Sequence, residues 1–332
     1  MTYWKQYLKL VAATLLLPAL ESGEETLVGG QAVFEGVMMR TPHAWGITVR
    51  KPTGEMVSHS EALARPSEKH KWMAWPVVRG VVTLGHAMML GFRALKFSAN
   101  VALAEMTGDP KSGDPSEKVE ISGWMATVNI LFSLGFFILF YKFLPLLAAT
   151  GLKHSFPSLN NRVLFNLVDG GIRIGLFLLF VWGISLARDI HRVYEYHGAE
   201  HKTVFAFETG DSVDVPRAQS FVTWHPRCGT SFLMTVMLIC IVVYSIFPVQ
   251  TFWGKFALRL AALPFIAGVS YELIRYAARK RDSLFALLTL PGLWLQRITT
   301  QPPEDEQVDC AIRALDCALE IEKQNGGELV IA

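Results

Sequence analysis

Three residues within five positions carry the clearest chemistry in this chain: His197, Glu200 and His201, in the stretch Tyr194-Glu195-Tyr196-His197-Gly198-Ala199-Glu200-His201-Lys202-Thr203. On a helix, imidazoles four residues apart share a face one turn apart, where both can grip one metal ion. The H-x-x-E-H order is the mirror of the H-E-x-x-H of zinc proteases. In that chemistry the histidines hold the ion, and the glutamate takes a proton from water whose pKa the ion has brought near neutrality. The competing reading is a polar helix end with no ligand.

Further ligand types lie downstream in Trp224-His225-Pro226-Arg227-Cys228-Gly229-Thr230-Ser231. Imidazole and thiolate both suit first-row metals, and Pro226 forces His225 into an extended conformation. A thiol beside Arg227 at a helix start can also ionise and act as a nucleophile. Glu272, in Gly268-Val269-Ser270-Tyr271-Glu272, is a carboxylate near the end of an apolar run and needs a partner, either a metal or Arg275. Catalysis needs an open coordination position, so a site closed by His197, His201, His225 and Cys228 together would be structural. In Gly29-Gly30-Gln31-Ala32-Val33-Phe34-Glu35-Gly36-Val37-Met38-Met39-Arg40, Glu35 and Arg40 are the charged groups available to orient a substrate. The glycines there do not follow the phosphate-loop order.

The elements that must position these groups are mostly apolar. Of 332 residues, 51% are hydrophobic and only 18% charged, which describes an integral membrane protein better than a soluble enzyme. A net charge of +2 leaves no nucleic-acid footprint. Cys228, Cys240, Cys310 and Cys317 form no C-x-x-C pair, consistent with reduced thiols facing cytosol.

Residues 1–27 read as a variable leader or interfacial helix, with a signal peptide as the alternative. Residues 28–66 form a small β element, with a hairpin of Ala44 to Arg50 and Glu55 to Glu61 around Lys51-Pro52-Thr53-Gly54. Residues 67–120 hold an interfacial helix carrying Arg79, His86 and Arg93, then an acidic linker. Transmembrane hairpins occupy 121–187 and 229–276, with spans near 121–147, 163–186, 229–249 and 255–275. The loop 188–228 carries both histidine motifs, and the tail 277–332 an interfacial segment and a terminal helix. Its face of Val308, Ile312, Leu315 and Leu319 must dock on the protein or on a partner. Basic residues crowd the middle loop and tail, so those regions and the motifs are expected on the cytoplasmic side of the cell membrane. A helix from Arg188 to about Phe207 puts Tyr194, His197, His201, Phe205 and Glu208 on one face and leaves Glu195 and Lys202 as solvated charges.

The words GGQAVFEGVMMR (29–40), YHGAEHKT (196–203), HPRCGTSFL (225–233), AGVSYE (267–272) and PGLWLQRITT (291–300) resemble those of the YqhQ-like family of bacterial membrane proteins. The resemblance covers roughly residues 28–320. It leaves out the leader and is less clear over Asp211 to Ser220. That family is a domain of unknown function predicted to be a metal-dependent enzyme, which implies metal chemistry at His197, Glu200 and His201.

The expectation is a mainly α, polytopic membrane protein with about four transmembrane helices, interfacial helices and a small cytosolic β element. Its site gathers His197, His201 and His225, with Cys228 or Glu272, around a divalent metal, zinc by ligand type. Glu200 is the general base, with Glu35 and Arg40 beside the substrate. The reaction is hydrolysis of a peptide, ester or lipid-borne bond at the cytosolic membrane face, so membrane lipid and a protein or lipid substrate are the expected partners, and nucleic acid is not. The alternative is a scaffold or assembly factor with a structural metal or purely structural His/Cys motifs. Transport has less support, because the charged motifs sit at one face and no polar path crosses the membrane.

Overall fold

Alternation of side-chain direction explains the small sheet. In a strand of Gly36-Val37-Met38-Met39-Arg40, Val37 and Met39 face one way and Met38 the other, and all three are buried. This is the second strand of a four-stranded antiparallel meander: β1 (Gly29–Val33), β2 (Gly36–Arg40), β3 (Ala44–Arg50) and β4 (Met56–Ala62). The computed structural model describes residues 28–63, 71–107, 123–210, 212–225, 228–279 and 290–324. The leader, most of the acidic linker, Pro226, Arg227 and residues 280–289 of the tail lie outside the described residues.

The β3–β4 hairpin forms at the expected turn, with Val49 opposite Val57 and Arg50 opposite Met56. The glycine-rich stretch before it pairs as well, closing at Val33 opposite Gly36 through Phe34 and Glu35. Because β2 is covered on both faces, its run of apolar residues lacks the alternation that marks a half-buried strand.

Helices cover the two faces of the sheet. One face carries Val33, Met38, Trp45, Ile47 and Val49 and packs on Leu90, Ala94, Phe97 and Val101 of α1 (Val78–Thr107). The residues expected to place α1 in a membrane interface therefore lie partly in a protein core, while Met88, Met89 and Phe92 stay exposed. Near its start α1 meets α9 (Leu263–Arg279), where Arg79 pairs with Glu272.

The other face, with Val37 and Met39, packs on α5 (Arg188–Glu208) and α11 (Asp305–Gln324). The expected apolar stripe of α11 is buried there, with Val308 and Leu315 fully enclosed, so it docks on this chain's own sheet. Leu315→Ala is expected to destabilise the fold by about 2–5 kcal/mol, the range for emptying such a core position, and denaturant titration of the purified chain measures it.

At the far end of α11, Glu322 accepts from the hydroxyl of Thr41 at 2.7 Å and the amide of His43 at 2.8 Å, and its other oxygen lies 2.7 Å from His43 Nδ1. Burial works against the carboxylate, but these hydrogen bonds outweigh it and hold Glu322 below the usual carboxylate range. A depressed folded pKa stabilises the fold above the unfolded value of about 4.3 and ceases to do so as pH falls through the folded one. Glu322→Gln should thus lower the unfolding temperature at neutral pH and lose that effect below about pH 4, in a thermal melt series.

Among the described residues, three helical stretches are long and apolar enough to cross a membrane: Thr127–Ser155, Arg162–Ser185 and Gly229–Ile246. The first runs from α2 (Gly123–Ile138) through a π-helical stretch, Leu139–Phe143, into α3 (Leu144–Ser155). The second and third are α4 and α7. The fourth expected span is two helices, α8 (Phe252–Ala261) and α9, bent by 51° at a break just before Pro264. The short α6 (Val215–Gln219) and α10 (Leu290–Thr299) complete the described α-helices.

Candidate metal centre

Helix α5 presents His197 and His201 on one face with ring centres 4.4 Å apart, and the rest of the chain fixes which ring nitrogen each offers. Gly198 is the first cause. A Cβ there would lie 2.1 Å from the Gln301 carbonyl oxygen, so only glycine lets the segment after α10 lie on α5. That approach brings the carbonyl of Thr299 to 2.7 Å from His197 Nδ1. The carbonyl of Thr223 lies 2.5 Å from His201 Nδ1, and Lys202 holds that loop by donating to the carbonyls of Gln219 and Phe221 at 2.8 and 2.6 Å. Lys202 is thus buried and bonded, not the solvated charge its position suggested. Glu195 is also engaged, accepting from Gln307 at 2.8 Å.

A carbonyl only accepts, so both imidazoles carry a proton on Nδ1, and Nε2 is the nitrogen left to turn toward the cluster. Cys228 caps α7, receiving the amide of Thr230 at 3.5 Å, and its sulfur lies 3.3 Å from His197 Nε2. One ligand atom each from His197, His201 and Cys228 lies within 4.8 Å of the other two, a trio that could hold a metal ion. His201 Nε2 is buried and has no hydrogen-bond partner among the described residues. Burial opposes ionisation of Cys228, but the charges of His197 and His201 outweigh it and hold the thiol well below its ordinary range. Burial likewise disfavours a charged His197, yet the facing Cys228 sulfur and Glu200 carry it up to about 9.

The other expected site residues divide into two groups. Glu200 is buried, with a carboxylate oxygen 3.8 Å from His197 Nε2, and a Cβ on Gly30 would come within 2.6 Å of its Cγ. His225 stands beside the trio, its ring centre 5.7 Å from that of His201 and its Nε2 3.5 Å from a Glu208 oxygen. Gln296 of α10 holds the His225 backbone from both sides, accepting from its amide at 2.7 Å and donating to its carbonyl at 2.8 Å. A cavity of about 480 Å³ opens on the cluster and is lined by Gly30, Gln31, Arg40, Leu90, Glu200 and Leu233 among others. Burial pushes the Arg40 guanidinium below its ordinary pKa.

Glu35 and Glu272 stand apart. Glu35 occupies the β1–β2 turn with a φ of 51° and binds Arg192 through both carboxylate oxygens, with the Tyr196 hydroxyl at 3.3 Å. It orients α5 against the sheet and does not line the cavity. Glu272 is held by Arg79 and the amide of Val77 at 3.3 Å, so the carboxylate expected to complete the metal shell serves an ion pair. Sequence reasoning missed Thr223, Thr299, Lys202 and Gln296. All four act on or through backbone carbonyls, and the only signal for Gln296 and Thr299 was their place in the word PGLWLQRITT.

The fold and site define a mainly helical protein with, among the described residues, three to four stretches apolar enough to span a membrane, a small antiparallel sheet, and a partly buried His-His-Cys cluster open to a cavity. The chain belongs to the family described as "Protein of unknown function (DUF1385)", whose model matches residues 75–321 and so takes in both histidine words but not the β1–β2 hairpin. It is 30% identical over 299 residues to "Uncharacterized protein YqhQ" of Bacillus subtilis (strain 168), covering 89% of this chain and 92% of that protein. No solved structure matches.

Proposed function

We propose that this chain is a membrane-embedded, zinc-dependent hydrolase working at the cytosolic membrane face, with His197, His201 and Cys228 holding the ion. One observation carries the reading. Both histidines turn Nδ1 to a backbone carbonyl, and His197 turns Nε2 to Cys228, the outer hydrogen-bonding arrangement of metal-ligating histidines. His201 Nε2, buried with no partner among the described residues, has no other evident employment.

Three protein ligands leave a fourth position open toward the cavity, as catalytic zinc sites require. Zinc there would supply Lewis acidity and bring a water near neutrality in pKa. Glu200, beside His197 and against Gly30, is the carboxylate that would hold and accept the proton there. Arg40 on the cavity wall orients an anionic or carbonyl-bearing part of the substrate. The flanking Leu90 and Leu233 suit a peptide or lipid-borne bond more than a free polar metabolite.

His225 favours a second reading. Beside the trio as it is, it would become a fourth ligand by leaving Glu208 and turning its ring to the cluster, closing the site and leaving a scaffold whose metal joins the loop to the helices.

Metal analysis by mass spectrometry on the detergent-purified full chain tests both readings. The hydrolase reading expects about one zinc per chain, kept in Glu200→Gln and in His225→Ala and lost in Cys228→Ala. Zinc lost in His225→Ala supports the closed site, and a metal-free parent after zinc supplementation rejects both. Resistance to high-pH extraction from membranes tests insertion separately.

A further inference from the structure

A second polar cluster lies between the helices, at the ends of α4 and α7 away from the His-Cys centre. Lys142, Asn166, Asp169, Arg173 and Arg259 are all at most 5% exposed. They surround Tyr244, whose ring centre lies 5.9, 5.5 and 5.3 Å from the charged groups of Lys142, Arg173 and Arg259. Lys142 belongs to the π-helical stretch, a local distortion often found at functional positions.

The charges do not balance. One oxygen of Asp169 takes both guanidinium groups, from Arg173 directly and from Arg259 at 3.0 Å. Arg173 also donates to the Tyr141 carbonyl at 3.2 Å, Arg259 to Asn166 at 3.4 Å, and Lys142 to the Tyr244 hydroxyl at 3.4 Å. Arg173 Nη1 and both Nε and Nη1 of Arg259 remain buried without an acceptor among the described residues, as does Asp169 Oδ1 without a donor. Over residues 139–175 and 240–262 the chain carries six Lys and Arg against the single acid Asp169. Buried guanidinium N–H groups without acceptors are costly, so an anion is the missing partner by charge and by donor count.

An entry exists. A recess of about 20 Å³ reaches Arg259, Asn166 and Tyr244 and is rimmed by Lys153, Arg162 and Lys255, with no carboxylate among its lining residues. That volume holds roughly one water-sized group, which is the size of a phosphate oxygen. The rest of an oxyanion would sit at the mouth among the rim cations. Planar guanidinium forks suit phosphate oxygens better than a spherical halide.

We propose that this recess binds a phosphate group, presented by a lipid headgroup or as free phosphate. Only the lipid source rests on the membrane reading, and neither source depends on the metal centre. The test titrates the detergent-purified full chain with a short-chain phosphatidic acid, the matching diacylglycerol and inorganic phosphate, read by native mass spectrometry and thermal unfolding. Zinc content of the same samples reports separately on the metal reading.

Binding of phosphatidic acid but not diacylglycerol, weakened by about tenfold or more in Lys255→Gln and Arg259→Gln, is the expected result, the order of one charge-assisted hydrogen bond. Lys255 lies at the rim over the Phe165 ring at 3.7 Å, so its variant stays informative if Arg259→Gln fails to fold. Competition by inorganic phosphate in the same concentration range assigns the site to free phosphate. No binding of either phosphate probe, or binding that Lys255→Gln leaves unchanged, overturns the proposal.

Discussion

Replacing His197 and His201 together by alanine is expected to weaken zinc binding by more than about 100-fold, beyond the roughly tenfold to 100-fold carried by groups that only orient a ligand. The two rings supply two of the three ligand atoms of the cluster, and Cys228 alone cannot hold an ion against competing water and buffer. Competition with a chromophoric chelator measures the change. Lys202→Met makes the graded comparison, because Lys202 touches no ligand and acts only by fixing the loop that carries the Thr223 carbonyl. Its expected loss is about tenfold, from a His201 ring freed to turn. If the double variant binds zinc as the parent does, His197 and His201 are not the ligands. If Lys202→Met costs as much as the double variant, the loop is holding the whole site together rather than one ring.

The contrast between ligands and their supports explains what could be read in advance. His197 and His201 were legible because helical spacing alone places them together, and Cys228 because a thiol, a metal-ligand type, stands beside Arg227 at a helix start. The carbonyls of Thr223 and Thr299 carry no sequence signature, since any residue has one. Their positions depend on Gly198 admitting the segment that holds Gln301 and on Lys202 gripping its loop, both long-range effects. Glu272 shows the converse. An acid in an apolar run does need a partner, but whether that partner is a metal or Arg79, almost two hundred residues away, is decided by how α1 crosses α9. The β1–β2 hairpin was hidden because β2 is buried on both faces, which erased its alternation. The Asp169 and Arg173 pair, four residues apart in α4, was not read from the sequence and weighs against the expectation that the charged motifs sit at one face with no polar path across the membrane.

Asp169→Asn should be among the most damaging single substitutions in the helical part, with a loss of about 3–5 kcal/mol, the range for removing one partner of a buried ion pair. The side chain keeps its shape, so packing is not the cause. Arg173 and Arg259 share one oxygen of this carboxylate, and Lys142 donates to the hydroxyl of Tyr244 beside them. Without the negative charge, three buried cations face only dipoles. Unfolding of the detergent-purified chain measures the loss, and Arg173→Gln added to Asp169→Asn should recover part of it, because a cation is removed along with its anion. A loss below about 1 kcal/mol would mean that some other group already neutralises the arginines, since a buried charge left unpaired cannot be that cheap. If a bound phosphate is that group, its removal should expose the full effect and its return should reduce it. The stability of Asp169→Asn then depends on phosphate more steeply than that of the parent, which ties the charge imbalance of the cluster to its proposed ligand.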